Sequence, residues 1–363
     1  MTGTFATAMN RAARLMRPRK LTRSTRSMQK AMTGFMVAST FAPMSALRHA
    51  GTAQSPATAK TGSPAGRLSA KRSASGSQYL SRRHRSASGS RSYKLYLPSH
   101  KPTRPKGLIL MLHGCSQSPD DFAAGTHMNA LAEKHGFAVA YPAQVRRNNS
   151  GSCWNWYNPR HQVRGIGEPA ILASLTRKLM REFGLGRDAV FVAGLSAGGA
   201  MADILADLYP DLYSAAGIHS GIARGSAYNL ITAMSVMRSG AVSRGIVPVV
   251  LARPLPVRRI IFHGGADATI HPSNATRIVA AAVGDDAVPS RTGTRSVAGR
   301  GYTRSDFPGA DGAVLVELWA IEGTGHAWSG GRVAGTYTDR KGPDASAQMM
   351  RFFLTKTGTA GAG

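Results

Sequence analysis

The 363-residue chain contains two cysteines, and no aspartate or glutamate occurs before Asp120. Two thiols can supply neither a disulfide framework nor a four-cysteine metal site. There is also no H-E-x-x-H stretch, so no metal and no other cofactor is expected. A run of about twenty apolar residues is missing, so no transmembrane helix is expected. The basic N-terminal stretches lack interleaved aromatic residues and any recognisable binding module, so a nucleic-acid partner is not expected either.

The missing acids make the charge uneven. Residues 1–119 carry 21 of the 46 Lys and Arg and none of the 18 Asp and Glu, so most of the net charge of +28 sits at the N-terminal end. Residues 50–90 are rich in Ser, Ala, Gly, Arg and Lys with few large apolar groups, a composition that cannot repay chain ordering. The expected organisation is a basic arm and linker over 1–90, a catalytic domain over 91–355 and a flexible tail over 356–363. Within the arm, Met9, Ala12, Leu15 and Met16 recur at helical spacing with Arg11, Arg14 and Arg17 between them. Such a segment suits a basic amphipathic helix on an anionic surface or a polymer granule, and equally a flexible arm. Ala31–Ala46 is moderately apolar, follows a basic stretch and ends in small residues, as a signal peptide does. Thr33, Ser39, Thr40 and Pro43 interrupt it, and the preceding basic region is long. An extracellular or periplasmic location is expected, with the cytoplasm as the alternative.

From residue 91 onward, apolar strands alternate with helical stretches, the pattern of a mostly parallel sheet covered by helices on both faces. Expected strands are 92–97, 107–112, 137–141, 189–193, 214–219, 259–262 and 314–320. Helices are expected over 126–135, 169–183, 198–208, 272–283 and 345–354. The strand Val190-Phe191-Val192-Ala193 runs into Gly194-Leu195-Ser196-Ala197-Gly198-Gly199 and then a helix-like stretch. A G-x-S-x-G turn between strand and helix exposes the serine hydroxyl, and the glycines admit close backbone. The Ala197 N–H then lies at a helix start, where it can hold a developing oxyanion.

A serine nucleophile needs a base and an orienting acid, which in this class follow in the order serine, acid, histidine. Asp267 follows the strand ending at Phe262, and His326 follows the strand beginning at Val314. Both lie past strand ends, the edge of a parallel sheet where ligands bind. Ser196, Asp267 and His326 are therefore the expected triad. His113, His219, His263 and His271 also lie near strand ends and are read as packing or loop residues. Asp267 could instead be an Asx-turn residue, and Asp311 is a rival acid at the wrong end of the sheet. A second oxyanion donor is expected after the strand Gly107–Leu112, from the N–H of Cys115 or, failing that, of Ser116.

Five stretches together resemble the poly(3-hydroxybutyrate) depolymerase-like esterases of the α/β-hydrolase superfamily. They are Leu112–Phe122 (LHGCSQSPDDF), Cys153–Tyr157 (CWNWY), Gly194–Gly199 (GLSAGG), His263–Asn274 (HGGADATIHPSN) and Gly323–Gly331 (GTGHAWSGG), the last trailed by Gly342–Ser346. The resemblance implies an α/β-hydrolase fold, with Ser196 as nucleophile, Asp267 as acid and His326 as base. It also implies polyhydroxyalkanoate esters as substrates, with feruloyl and acetylxylan esterases among the relatives. A separate polymer-binding module is not expected in the 37 residues after His326.

Trp154, Trp156 and Trp328 fall in loops beside these residues and are candidate substrate contacts, core packing being the other fate of such rings. Met234, Met237 and several valines lie in Ile222–Val257, which is either a small cap or an inserted helix and loop. A Cys115–Cys153 disulfide is expected, with two free thiols as the alternative. It would stabilise by roughly 3–4 kcal/mol on the chain-entropy view and fix the oxyanion loop. The leading expectation is a cofactor-free serine esterase acting on hydroxyalkanoate oligomers or amorphous polyester. A carbohydrate esterase is the alternative, and a non-catalytic granule- or nucleic-acid-binding protein is the alternative of another class.

Overall fold

A computed structural model describes residues 71–72, 76–99, 104–240 and 256–355. The readings of the basic arm, the Ala31–Ala46 segment and the tail 356–363 fall outside the described residues. The elements that position the site are β4 (Gly107–Leu112), β5 (Phe137–Pro142), β6 (Val190–Leu195), β7 (Ala215–His219), β8 (Arg258–Gly264) and β11 (Val314–Ile321). They pair in the parallel order β5-β4-β6-β7-β8-β11. Outside β5 the sheet continues antiparallel through β3 (Gly89–Leu97), β2 (Gln78–Ser86) and β1 (Lys71–Arg72). Outside β11 it continues through β10 (Arg300–Pro308) and β9 (Arg291–Val297). A small parallel pair, β12 (Trp328–Ser329) with β13 (Thr338–Asp339), lies apart.

The central strands are apolar runs because both faces are covered. On β4, Leu108, Leu110 and Leu112 enter one core and Ile109 and Met111 the other. The first core is closed by α3 (Gly167–Phe183), α4 (Ala197–Leu208), α5 (Leu230–Ser239) and α6 (Ser273–Val283), through residues such as Leu175, Met201, Val236 and Ile278. The second is closed by α1 (Pro119–Thr126), α2 (Met128–His135) and α7 (Ala345–Leu354), through Phe122, Met128 and Met349. This is the mostly parallel, doubly covered sheet expected from the alternating pattern, and the α/β-hydrolase architecture that the family resemblance implies.

Three expectations need correction. The helix foreseen over 126–135 starts at Met128, and a helix not foreseen, α1, precedes it, because His127 takes a left-handed conformation (φ 45°, ψ 26°) between α1 and α2. The antiparallel pair β9–β10 was not foreseen, since every residue of β9 is exposed and carries no apolar alternation. The linker foreseen over 50–90 is ordered strand over 78–86. A full antiparallel ladder joins β2 to β3, from Gln78 opposite Leu97 to Ser86 opposite Gly89. Arg82 also pairs with Glu182, and His84 meets Ser174, so α3 anchors a strand whose composition is polar. Composition underrates such strands because pairing and neighbouring side chains stabilise them.

This anchoring has a direct test. A chain starting at Gly76 should keep the thermal midpoint of the catalytic domain, whereas one starting at Ser86 removes β2 and should melt at least about 5 °C lower. Equal midpoints would return residues 76–86 to a linker role.

Candidate active site

β6 delivers Ser196 through a turn that the side chains around it dictate. Ser196 has φ 59° and ψ −121°, a conformation that costs of the order of 1–3 kcal/mol for a non-glycine residue. Its N–H donates to His219 O (2.9 Å), and its carbonyl accepts from Ala200 N–H (2.9 Å), starting α4. The flanking glycines are sterically required. A Cβ on Gly194 would lie 2.3 Å from Gly198 O, and one on Gly198 would lie 2.0 Å from Leu112 O.

β8 and β11 deliver the other two groups side by side. Gly265 N–H donates to Ile321 O and Ala266 N–H to Thr324 O, which ties the loop carrying Asp267 to the loop carrying His326. His326 Nδ1–H donates to Asp267 Oδ2 at 2.8 Å. Asp267 Oδ1 accepts from the N–H groups of Thr269 and Ile270, each at 2.9 Å. The carboxylate is thus both the Asx-turn residue and the partner of the imidazole, one oxygen for each. Burial opposes its ionisation, but His326, His263 and the Ile270 N–H outweigh that and hold it well below the usual carboxylate range. With Nδ1 protonated, the His326 lone pair lies on Nε2, which is buried and has no hydrogen-bond partner among the described residues.

Three other histidines near the sheet edge each commit a ring nitrogen to backbone. His113 Nδ1–H donates to Gly114 O (2.8 Å) while Nε2 accepts from Gln144 N–H (3.0 Å). His219 Nε2 accepts from Ser329 N–H (3.1 Å), and its ring stacks between Phe262 and Trp328. His263 Nε2–H donates to Ile270 O (2.9 Å). Burial pushes His113 down to about 4 and His219 down to about 3, and it lowers His263 as well, so these rings stay neutral.

The loop after β4 approaches the serine closely: a Cβ on Gly114 would lie 3.6 Å from Ser196 Cβ. The carbonyl of the Gly114–Cys115 peptide accepts from His113 and, at 3.3 Å, from Gln117 N–H. In a trans peptide the Cys115 N–H then points the opposite way. Among the described residues neither Cys115 N–H nor Ala197 N–H has a hydrogen-bond partner, whereas Ser116 N–H donates to Gly151 O (2.8 Å). Cys115 and Cys153 are joined by a disulfide, as expected.

Ser196, Ala197 and Cys115 open onto a cavity whose walls include Trp156, Tyr157, Ile222, Leu230, Met234, Met237 and Ile270. Among the described residues no charged side chain lines it. Trp156 is where the loop reading put it. Trp154 and Trp328 are not cavity residues. Trp154 is fully buried with its indole N–H on His113 O, and Trp328 is packed against His219 and Phe122 with its N–H on Ser346 Oγ. Both rings lie inside the cores, Trp154 from a loop and Trp328 from β12, which loop position in a sequence does not reveal. The segment 222–257 supplies α5, which carries Met234 and Met237 to the cavity. Its part over 241–255 lies outside the described residues. Ile270 and Tyr157 were missed, although Tyr157 closes the CWNWY stretch.

This sheet, with a serine on a strained strand-to-helix turn, defines an α/β-hydrolase. Residues 91–306 match the family described as esterase PHB depolymerase, and the chain belongs to that family. It is 30% identical over 239 residues to poly(3-hydroxyalkanoate) depolymerase C of Paucimonas lemoignei, covering 64% of this chain and 57% of that protein. It is 29% identical over 223 residues to a probable acetylxylan esterase A of Aspergillus fumigatus, covering 56% of this chain and 58% of that one. The chain therefore spans less than three fifths of the length of these curated relatives. Among solved structures, an acetyl xylan esterase from Aspergillus awamori matches with a TM-score of 0.54 at 22% identity, over 65% of this chain and 89% of that one, a likeness of fold.

The neutral histidines predict acid sensitivity. Unfolded imidazoles take up a proton near the ordinary value of about 6.5, whereas His113 and His219 resist until about 4 and about 3. The unfolded state then binds more protons, so stability should fall as pH drops from about 6.5 toward 4. Asp267, held low, contributes stability that is present above the usual carboxylate range and lost only in stronger acid. Urea midpoints at pH 7.5 and pH 5 measure this, and equal midpoints would contradict the neutral assignment.

Proposed function

We propose that Ser196, His326 and Asp267 form a catalytic triad that hydrolyses carboxylic esters through an acyl-enzyme. The observation that carries this reading is the strained serine on its elbow together with a buried Asp267–His326 pair that leaves Nε2 unpartnered. Ser196 Oγ attacks the ester carbonyl as Nε2 takes its proton, and Asp267 stabilises the imidazolium. The N–H groups of Cys115 and Ala197 hold the oxyanion. His326 returns the proton to the leaving alcohol, and water repeats the sequence on the acyl-enzyme, releasing the acid.

The apolar, uncharged cavity favours neutral esters with short apolar branches, which hydroxyalkanoate oligomers and amorphous polyester provide. The name of the Paucimonas relative supports the same choice. Removal of acetyl groups from polysaccharide is the second reading, supported by the acetylxylan esterase relatives. A bonded cysteine pair supports an oxidising compartment, hence an extracellular or periplasmic location. Binding of a granule or anionic surface by residues 1–70 is a separate proposal.

Ser196→Ala should lower kcat by about 10⁶ and Asp267→Asn by about 10⁴, as orders of magnitude for triads. A fluorophosphonate probe should label Ser196, and near wild-type turnover in either variant would sink the triad. For the substrate, release of 3-hydroxybutyrate from its trimer should exceed release of acetate from acetylated xylan. The reverse order would favour the carbohydrate reading.

A further inference from the structure

Glu168 is a buried carboxylate at the second position of α3, 3% exposed, and it does not line the catalytic cavity. Its described hydrogen-bond partners are all donors: Arg91 Nη2 at 3.0 Å, Asn155 N at 2.8 Å, Asn155 Nδ2 at 3.0 Å, and Gln144 Nε2. His161 Nδ1 lies 3.2 Å from the carboxylate without making a hydrogen bond to it. Burial opposes its ionisation, yet His161, Asn155 and Arg91 win and hold it below its ordinary range. A carboxylate with this many donors is more than is needed to start a helix.

Two of those donors lead to the catalytic loop. Gln144 Nε2 also donates to Cys153 O (3.0 Å), and Gln144 N–H donates to His113 Nε2, which fixes the tautomer whose Nδ1–H holds Gly114 O. Asn155 lies two residues beyond Cys153, whose sulfur is bonded to Cys115. Both routes end on the Gly114–Cys115 peptide. The second also passes through the loop that presents Trp156 and Tyr157 to the cavity.

We propose that Glu168 is a positioning residue for ester hydrolysis: by gathering Gln144 and Asn155 it fixes the Cys115 N–H and the Trp156–Tyr157 wall of the cavity. The proposal rests on the reading of Cys115 N–H as an oxyanion donor. It needs an acceptor-only group at 168, because an amide there would turn an NH₂ toward donors. Glu168 acts through other residues, so its effect falls on turnover by correctly folded sites.

The test uses the full chain with Glu168→Gln and, as a gentler change that keeps the carboxylate, Gln144→Ala. Fluorophosphonate titration counts competent Ser196 sites. The kcat per titrated site on p-nitrophenyl butyrate and the Ki of phenylboronic acid, whose serine adduct is tetrahedral, then report the oxyanion geometry. Glu168→Gln should lower kcat per site by roughly 10- to 100-fold with KM little changed, and the boronate Ki should rise in parallel. Gln144→Ala should move both in the same direction by less. If both variants keep kcat per site and Ki within about twofold of wild type, and only the titrated fraction or the melting temperature falls, Glu168 is a stabiliser and the proposal is overturned. If Glu168→Gln does not fold, Gln144→Ala decides by the same criteria. Labelling away from Ser196 in the wild type would overturn the triad beneath the proposal, whereas normal labelling with unchanged kinetics removes only the role of Glu168.

Discussion

The catalytic edge depends on one steric constraint, the crossing of α4 over the end of β4. Gly198 lies so close to Leu112 O that a single methyl group would collide at 2.0 Å. That closeness lets β6 turn into α4 within one residue and forces Ser196 to φ 59°. The strain of about 1–3 kcal/mol persists because the surroundings over-determine it. The serine N–H is held by His219, His219 is held by Ser329 and stacked on Trp328, and α4 is buried along almost its whole length. Trp328 and His219 thus act on the serine indirectly, as packing.

Four histidines near one sheet edge are sorted by their partners alone. His113, His219 and His263 are buried with a nitrogen committed to backbone, and burial keeps them neutral. His326 differs in hydrogen-bonding the carboxylate of Asp267 through Nδ1 at 2.8 Å, whereas His263 Nε2 lies 3.6 Å from the same carboxylate and gives its hydrogen bond to Ile270 O. Asp267 can serve His326 because a second set of donors, Thr269 and Ile270 N–H, fixes the other oxygen. The Asx turn is therefore what orients the acid toward its histidine.

Much of this was legible in the sequence. Parallel strands buried on both faces are written as continuous apolar runs, such as GLILML in β4 and VFVAGL in β6, so the central sheet could be read directly. Ser196, Asp267 and His326 follow parallel strands, so their placement at one edge follows from topology alone. The outer strands were hidden for the opposite reason. QYLSRRHRS and RTGTRSV have no apolar face, and they are strands only because β3 and β10 pair with them. The tryptophans show the limit for side chains: Trp154 and Trp156 are two residues apart in one loop, yet one is core and the other wall.

Glu168 was illegible because its partners come from four separate places, Arg91, Gln144, Asn155 and His161. A lone Glu before Pro169 reads as an ordinary helix start, favoured there by the helix dipole. Only the folded chain assembles donors from β3, the loop after β5 and the loop before α3 around one carboxylate. The same assembly explains why the cavity can be uncharged. The buried charge lies behind the Cys153–Tyr157 loop, neutralised by Arg91, and reaches the cavity only through hydrogen bonds and a disulfide. In the proposed mechanism an apolar ester therefore meets the Cys115 and Ala197 N–H groups without meeting the Glu168–Arg91 pair.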